Sequence, residues 1–172
     1  MLKNENMFWF WKSEIPAIVC DNIVSRGLEL TEEQASVGEG ENGIVDENVR
    51  KSRISWFDTE KDAWLYHVLW GYMVRANTNA GWNFDIKEQQ QPQFTVYDKS
   101  FFYDFHEDAS YHEDNMRKLS LVVFLSETTD YDGGNFEFRE PAEVPAEKGS
   151  ILVFPSFLYH RVTPVESGLR YS

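Results

Sequence analysis

The sequence predicts a mostly β fold with flanking helices (α+β): a cupin-like double-stranded β-helix, or jelly roll, with N-terminal helices packed on one sheet. Two observations favour this fold class. From Trp82 onward the chain consists of short apolar segments separated by turn residues, a pattern typical of sandwiches and barrels. The composition is 42% hydrophobic and 16% aromatic, and aromatic side chains favour strands and can surround a deep pocket.

The 172 residues are expected to form a single domain, because this length is ordinary for one hydrophobic core. Residues 1–81 form its predicted helical and strand support, and residues 82–172 form the jelly-roll core. Neither an internal repeat nor a low-complexity linker divides the sequence.

The N-terminal support contains two predicted helices. Pro16 begins the first, since proline is favoured in the first helical turn. Residues 36–48 are rich in glycine, glutamate and asparagine and predict a mobile loop, and residues 53–57 predict a strand. Asp58 or Thr59 caps the second and longest helix, which ends near Gly81 and should pack on the outside of a sheet. Its apolar stripe comprises Leu65, Leu69, Tyr72, Met73 and Ala76.

Eight strands are predicted in the core, with turns marked by residues 98–100, 132–134 and 155–156. The strands are residues 82–86, 93–97, 101–106, 119–125, 135–138, 150–154, 160–162 and 169–172.

Charge and cysteine content limit the partners and the compartment. The formal net charge of −13 argues against nonspecific nucleic-acid binding, which depends on cationic contacts to phosphates. No apolar stretch has the length of about 20 residues that spans a bilayer, so no membrane partner is expected. The single Cys20 and the absence of a signal-like N-terminus favour a cytoplasmic location, or the host cytoplasm for a phage-encoded chain.

A candidate metal site comes from His106, which ends an aromatic strand, from Asp108 just beyond it, and from the distant His160. Two histidines and one carboxylate on one face of a metal are the ligand set of non-haem Fe(II) oxygenases. Downstream, Arg170 offers a bidentate fork for a carboxylate, and Ser172 lies on the same side of the same predicted strand. Together these residues indicate an iron enzyme that uses a 2-oxo acid.

A second triplet, His112-Glu113-Asp114, repeats the His-Glu-Asp pattern of residues 106–108. His106 follows a strand that can hold it rigidly, whereas His112 lies in a polar stretch without one. Rigid elements make precise ligand sites, so we expect His106 and Asp108 to be the ligands.

Five motifs follow one another in the second half of the chain: residues 105–108, 117–121, 131–138, 148–156 and 160–165. In this order they resemble the prolyl-4-hydroxylase-type 2-oxoglutarate/Fe(II)-dependent dioxygenases, in particular the small microbial and phage members. The resemblance covers residues 93–172 and extends weakly to residues 53–56.

The resemblance implies Fe(II) held by His106, Asp108 and His160, and 2-oxoglutarate held at its far carboxylate by Arg170. It further implies Tyr97, Ser172 and Ser120 near the 2-oxoglutarate, and Tyr103 and Arg117 on the substrate side. It also implies O2 as co-substrate and ascorbate as a reductant. Family members continue along the last strand, and the sequence does not decide whether this strand continues beyond Ser172.

The implied activity is hydroxylation of a proline in a peptide or protein, with release of succinate and CO2. Hydroxylation of a free amino acid, another protein residue or a nucleobase remains open, because substrate selectivity lies in loops. Two further classes also remain: a catalytically silent jelly-roll binding module, and a cupin-like metal isomerase or storage protein. Bound 2-oxoglutarate would distinguish the oxygenase from both. Neither the oligomeric state nor the identity of the substrate follows from the sequence.

Overall fold

The computed structural model describes residues 7–36, 44–109 and 116–172. In chain order the elements of this part are β1 (Trp9–Trp11), α1 (Ala17–Glu29), β2 (Glu33–Gln34), β3 (Arg50–Lys51), β4 (Arg53–Trp56), α2 (Ala63–Asn79), β5 (Gln93–Tyr97), β6 (Phe102–His106), β7 (Leu119–Val123), β8 (Tyr131–Gly133), β9 (Phe136–Phe138), β10 (Ile151–Pro155), β11 (His160–Val162), β12 (Val165–Gly168) and β13 (Arg170–Tyr171). The fold is therefore mostly β with two helices, as the sequence predicts.

The strands form two antiparallel layers. In the first layer, the sheet with order β1-β10-β7 adjoins the sheet with order β13-β5-β4-β2. The two sheets are joined where the backbone N–H of Leu125 donates to the carbonyl of Tyr171 at 3.2 Å. The second layer contains the sheet β3-β6-β11-β9 and the two-stranded sheet β12-β8. Two facing layers of this kind are the arrangement expected of a jelly roll.

Alternation along the strands divides the apolar residues between two cores. On β10, Ile151 and Val153 join the core beneath the helices, whereas Leu152 and Phe154 join the core between the two layers. Successive side chains of a strand point to opposite faces, so one strand serves both cores. A side chain that faces the inter-layer core is therefore directed toward the interior of the barrel.

The two helices cover the outer face of the first layer. α1 packs against β4, and α2 packs against β1 and β7. The predicted stripe of α2 is the face that packs: Leu65 and Ala76 are buried, and Leu69, Tyr72 and Met73 are partly buried against the same core. The prediction that the longest helix lies on the outside of a sheet is confirmed.

The predicted start of α2 is wrong by about one turn. Asp58 does not cap the helix; its carboxylate accepts hydrogen bonds from the backbone N–H groups of Glu60 and Lys61 at 2.9 and 2.8 Å. This side-chain bonding holds a separate turn, and the helix begins after it at Ala63.

The strand predicted at residues 82–86 is absent. Asn77 of α2 binds the backbone of Phe84 in both directions, donating to its carbonyl at 2.8 Å and accepting from its N–H at 2.9 Å. Asn83 also has a positive φ of 53°, which a strand does not allow. A side chain of the helix therefore takes the hydrogen bonds that a neighbouring strand would need.

The other predicted strands of the core are present, and the bounds of β5 and β11 are those predicted. The sequence prediction missed the short strands β1, β2, β3, β8 and β12. Of the predicted loop at residues 36–48, residues 37–43 lie outside the described residues. Within the described part, no helix is long and apolar enough to cross a bilayer.

Candidate active site

Three potential metal ligands meet where two strands of the second layer pair. His106 is the last residue of β6, His160 is the first residue of β11, and the two are directly paired across the strands. Asp108 follows two residues after His106. Its Oδ1 lies 3.6 Å from Nε2 of His106, and its Oδ2 lies 3.6 Å from Nε2 of His160. One ligand atom from each residue lies within 4.8 Å of the others, which is close enough for all three to share one metal ion.

Each histidine is fixed by a hydrogen bond from its other ring nitrogen. Nδ1 of His106 lies 2.8 Å from the carbonyl oxygen of Asp104, and Nδ1 of His160 lies 2.8 Å from that of Leu158. A carbonyl oxygen only accepts, so the proton of a neutral imidazole resides on Nδ1. The lone pair of Nε2 is then directed toward Asp108, as metal coordination requires.

The carboxylate of Asp108 is held by the first layer of the barrel. The hydroxyl of Ser120, on β7, donates to Oδ2 at 2.6 Å, and Ser120 is itself 2.9 Å from the hydroxyl of Ser156. The backbone N–H groups of Asp108 and Ala109 both donate to the carbonyl of Ser156, at 2.8 and 3.0 Å. The loop that carries Asp108 is thus attached to the opposite layer.

The ionisation states fit a cation site. Burial by itself would raise the pKa of Asp108, but the facing imidazoles of His106 and His160 and the hydroxyl of Ser120 hold it below its usual range. Burial lowers the pKa of His160 to about 4, against the opposing attraction of Asp108. At neutral pH the site therefore offers a carboxylate and a neutral His160 imidazole, which are the forms that bind a metal.

The donor set also fits the expected metal. Two imidazoles and one carboxylate, with the remaining positions left to other ligands, suit non-haem Fe(II). The hydrogen bonds to Nδ1 of both histidines and to Asp108 supply the outer support that such ligands require.

Arg170 provides a second feature of the site. It lies on β13, opposite Tyr97 of β5, and only 1% of its surface is exposed. Its guanidinium lies 5.2 Å from the centre of the Tyr97 ring and 5.7 Å from that of Phe124, both in the inter-layer core. Nη1 donates to the hydroxyl of Ser172 at 3.3 Å, whereas the buried Nη2 has no hydrogen-bond partner within the described residues.

The same inter-layer core connects Arg170 to the triad. His160 stacks on Phe136 with ring centres 5.3 Å apart, and Phe136 contacts Phe124, over which Arg170 lies. A buried guanidinium with an unsatisfied N–H is costly unless a ligand or water pairs with it. The barrel interior thus combines a cluster of side chains that could hold a metal ion with a buried guanidinium whose Nη2 has no partner among the described residues.

Two predicted residues lie beside the metal ligands. Tyr103 stacks on His106 with ring centres 3.4 Å apart and an interplanar angle of 11°. Nη1 of Arg117 lies 3.6 Å from Oδ1 of Asp108. Gln90 holds Arg117 in this orientation, accepting from its Nε at 2.9 Å and also from its Nη2.

Of the residues predicted to bind the co-substrate, Tyr97 and Ser172 lie beside Arg170, whereas Ser120 bonds to Asp108. Sequence reasoning missed three further residues of the site: Ser156, Gln90 and Arg50. Ser156 ends one of the motifs that carry the resemblance, but the motif does not indicate its contact with Ser120. Gln90 falls in a polar run and Arg50 beside the Gly-rich stretch, so no motif marks these two. The alternative triplet at residues 112–114 lies outside the described residues.

The amino-acid sequence is similar to that of known proteins over its second half. Residues 92–172 match the family model of the 2OG-Fe(II) oxygenase superfamily. A PKHD-type hydroxylase of Acidovorax ebreus is 36% identical over 88 residues, covering 46% of this chain and 39% of that protein. A PKHD-type hydroxylase of Parvibaculum lavamentivorans is 38% identical over 77 residues, covering 43% and 35%. The matched segments thus span no more than about two fifths of the length of these curated relatives.

Solved structures share the fold over nearly the whole chain. A prolyl-4-hydroxylase of Pseudomonas putida superposes with a TM-score of 0.74 at 22% identity, covering 96% of this chain and 89% of that one. The viral collagen prolyl hydroxylase of Paramecium Bursaria Chlorella virus-1, solved with 2OG, superposes with a TM-score of 0.72 at 17% identity. The match covers 96% of this chain and 92% of that one. A Trichoplax adhaerens prolyl hydroxylase, in complex with a hypoxia inducible factor peptide fragment, superposes with a TM-score of 0.70 at 18% identity, covering 98% of this chain and 81% of that one.

Proposed function

We propose that this chain, whose residues 92–172 match the family model of the 2OG-Fe(II) oxygenase superfamily, is a 2-oxoglutarate- and O2-dependent hydroxylase of a proline in a peptide or protein. His106, Asp108 and His160 hold ferrous iron. Arg170, with Tyr97 and Ser172, holds the far carboxylate of 2-oxoglutarate.

The observation that carries this proposal is the buried guanidinium of Arg170 in the same barrel interior as the triad. Its Nη2 lacks a partner, and within the described residues no carboxylate forms an ion pair with it. Burying an uncompensated cation costs several kcal/mol, about 3 to 5 when a buried pair loses one partner. An anionic ligand removes this cost, and a dicarboxylic 2-oxo acid has one carboxylate for the cation and a 2-oxo acid end for the metal.

The side chains of the site have separable tasks. The two imidazoles and Asp108 bind the metal through Nε2 atoms and one carboxylate, and the hydrogen bonds at Nδ1 keep the imidazoles in the coordinating tautomer. Ser120 orients Asp108. Arg170 orients the co-substrate by charge and by paired N–H groups, so its reacting end faces the metal.

Together, bound iron and 2-oxoglutarate supply the oxidising chemistry: a substrate C–H, O2 and 2-oxoglutarate become a C–OH, succinate and CO2. The protein contributes orientation and a dry environment. Phe136 and Phe154 enclose His160, which is only 4% exposed, and thereby exclude water from that side of the metal. Tyr103 and the partly exposed Arg117 flank the ligands on the substrate side.

A peptide containing proline is the proposed substrate. Three structures with the same fold carry the name prolyl hydroxylase, and one of them holds a peptide fragment. Tyr103 and Arg117 provide an aromatic face and a cation beside the metal, which suit a ring and the carbonyl groups of a peptide backbone.

An anaerobic titration with Fe(II) and then 2-oxoglutarate tests the cofactor assignment. We expect a visible metal-to-oxo-acid charge-transfer band in the parent protein. It should be lost in Asp108→Ala and weakened in Arg170→Ala, and it should remain in Asp114→Ala, which alters the alternative triplet. A parent protein that binds Fe(II) and 2-oxoglutarate without any band would contradict the proposal.

The substrate is tested separately by incubating the Fe(II)- and 2-oxoglutarate-loaded protein in air with a peptide library and measuring mass. The expected product carries one added oxygen on proline. Addition to another residue or to a free amino acid would exclude proline as the target and keep the oxygenase assignment. A band without any hydroxylated product from peptides or amino acids would exclude both of these substrate classes.

A further inference from the structure

We propose that Arg50 is a positioning residue for the metal site: it holds Tyr103 against His106 and so fixes the orientation of this ligand. The inference rests on the proposed function, because it takes His106 as a metal ligand. The guanidinium of Arg50 lies over Tyr103, so its role is to position His106 through this ring and not to bind the metal.

The three side chains form a stack. Arg50, on β3, is paired directly with Tyr103 on β6. Its guanidinium carbon lies 4.5 Å from the centre of the Tyr103 ring, and that ring lies 3.4 Å from the imidazole of His106 at an angle of 11°. A cation over the face of tyrosine attracts the ring, so Arg50 and His106 hold Tyr103 between them.

Arg50 is itself held in place. Its Nε donates to the hydroxyl of the buried Ser52 at 3.0 Å, and its Nη2 donates to Oε1 of Gln93 at 2.7 Å. Within the described residues its guanidinium forms no ion pair with a carboxylate. Neutral partners fix the plane of the guanidinium and leave its charge available to the Tyr103 ring.

The two histidines are supported differently, and this difference gives Arg50 its importance. The side chain of His160 is 6% exposed and packs against Phe136 and Phe154. The side chain of His106 is 14% exposed, and among the described residues its aromatic contacts are its facing partner His160 and Tyr103. Both imidazoles have an Nδ1 hydrogen bond, but the ring of His160 also packs in the barrel core, whereas the ring of His106 packs on Tyr103 and, through it, on Arg50.

Co(II) binding, measured by calorimetry without 2-oxoglutarate or O2, tests this role. Arg50→Met removes the cation and keeps an unbranched side chain. We expect its Co(II) dissociation constant to rise about tenfold, the lower end of the effect seen when outer support of a metal ligand is removed. The visible Co(II) spectrum should shift at the same time, because the His106 ligand reorients.

Lys51→Met is the matched control. Lys51 is the next residue of β3, and its ammonium lies over Phe101 at 5.3 Å, away from the metal ligands. It should leave the Co(II) affinity and spectrum unchanged. Urea unfolding of both variants separates a loss of metal affinity from a general loss of stability.

A double-mutant cycle tests whether Arg50 acts through Tyr103. In a Tyr103→Leu background, Arg50→Met should cause no further loss of Co(II) affinity, because the ring that transmits the effect is absent. The same loss in both backgrounds would overturn the inference, and so would equal affinities of Arg50→Met and Lys51→Met. If Arg50→Met does not fold, Arg50→Gln decides: it removes the cation and keeps a polar side chain that can bond to Ser52 and Gln93, and unchanged affinity and spectrum overturn the role.

The inference and the proposed function fail in distinguishable ways. A parent protein that binds no Co(II) contradicts both. A parent protein that binds Co(II) and shows the 2-oxoglutarate charge-transfer band, with an Arg50→Met variant that behaves like Lys51→Met, contradicts the positioning role alone.

Discussion

The hydroxyl of Ser120 donates to Oδ2 of Asp108 at 2.6 Å and joins the two layers of the barrel at the metal site. Ser120 belongs to β7 of the first layer, whereas Asp108 follows β6 of the second. The carboxylate is therefore oriented from across the barrel rather than by its own strand. Ser156, buried and 2.9 Å from Ser120, extends this connection to the end of β10.

Replacing Ser120 with alanine should weaken metal binding. The substitution removes the donor that orients Asp108 and leaves its carboxylate free to rotate. Loss of outer support of this kind lowers metal affinity about 10- to 100-fold. Calorimetric titration of the metal-free protein with Co(II) measures the effect.

Ser55→Ala is the control for the loss of a buried serine hydroxyl. Ser55 is also buried, but it donates to the carbonyl of Gly27, between β4 and α1, at 3.1 Å. Its removal should lower stability and leave the Co(II) affinity unchanged. If Ser120→Ala binds Co(II) as tightly as Ser55→Ala does, the hydroxyl has no role in orienting Asp108.

Replacing Arg170 with methionine should abolish the preference for a dicarboxylic co-substrate. The hydrogen bonds of a charged group contribute about 1.5 to 3 kcal/mol, so the dissociation constant for 2-oxoglutarate should rise about 10- to 100-fold. Co(II) affinity should be retained, since Arg170 is not a ligand. Calorimetry with 2-oxoglutarate on the Co(II)-loaded protein measures the change.

Arg161→Met is the matched control for Arg170. Arg161 is partly exposed and pairs with Glu137 at 2.7 Å on the neighbouring strand β9. Because such pairs near solvent contribute little, its loss should leave 2-oxoglutarate binding unchanged. Equal effects of the two substitutions would contradict the assignment of Arg170.

The stability of the metal-free protein should fall as the pH is lowered through the range 6.5 to 4. Burial lowers the pKa of His160 to about 4 in the folded protein, whereas the ordinary value is 6.5. Between these values the unfolded chain binds a proton that the folded chain does not, so acid favours unfolding. By thermodynamic linkage, a pKa difference of this size lowers the free energy of unfolding by about 3 kcal/mol when the pH reaches 4.

Urea unfolding at a series of pH values, with a chelator present, measures this dependence. In His160→Gln the slope between pH 6.5 and 4 should flatten, because the titrating group is absent. His67→Gln removes an exposed histidine of α2 and serves as the control. A slope that His160→Gln leaves unchanged would exclude His160 as its source.

Gly27 should not tolerate even a methyl group. A Cβ at Gly27 would lie 2.4 Å from the ring of Phe94, in the core between α1 and β5. Overpacking of this kind costs about 1 to 3 kcal/mol, and Gly27→Ala should lower the free energy of unfolding accordingly.

Gly71→Ala provides the matched comparison, because Gly71 lies within α2 and a Cβ there would meet no atom within 4 Å. Alanine favours the helix over glycine by about 1 kcal/mol, so this substitution should stabilise the protein. Urea unfolding of both variants should give shifts of opposite sign. Stabilisation in both would mean that Phe94 does not pack closely on Gly27.

The strands that could be predicted are those whose own residues show a pattern typical of a strand. β5 and β11 have apolar residues bounded by turn residues, and their predicted bounds match the structure. The strand predicted at residues 82–86 was wrong because Asn77, on a preceding helix, takes the backbone hydrogen bonds of Phe84. The missed strands of two or three residues, such as β2 and β3, exist only through pairing with distant partners.

Within the site, the sequence indicated residues that belong to ordered motifs, and the structure brings His106, Asp108 and His160 within reach of one metal. Ser120 was expected near the co-substrate, yet its hydroxyl bonds to Asp108. Sequence spacing cannot assign such a contact, because it joins two strands on different layers.

By itself, the sequence determined the class of fold, the candidate metal ligands and the basic residue Arg170, because strand periodicity and local residue order carry that information. Tertiary structure alone decided which groups contact these side chains: Ser120 donates to Asp108, Tyr103 stacks on His106 with Arg50 over its other side, and Ser172 accepts from Arg170. The physical reason is the short range of hydrogen bonds and ring contacts. Which partners come within about 3 to 5 Å of each other depends on strand register and layer packing across long stretches of chain.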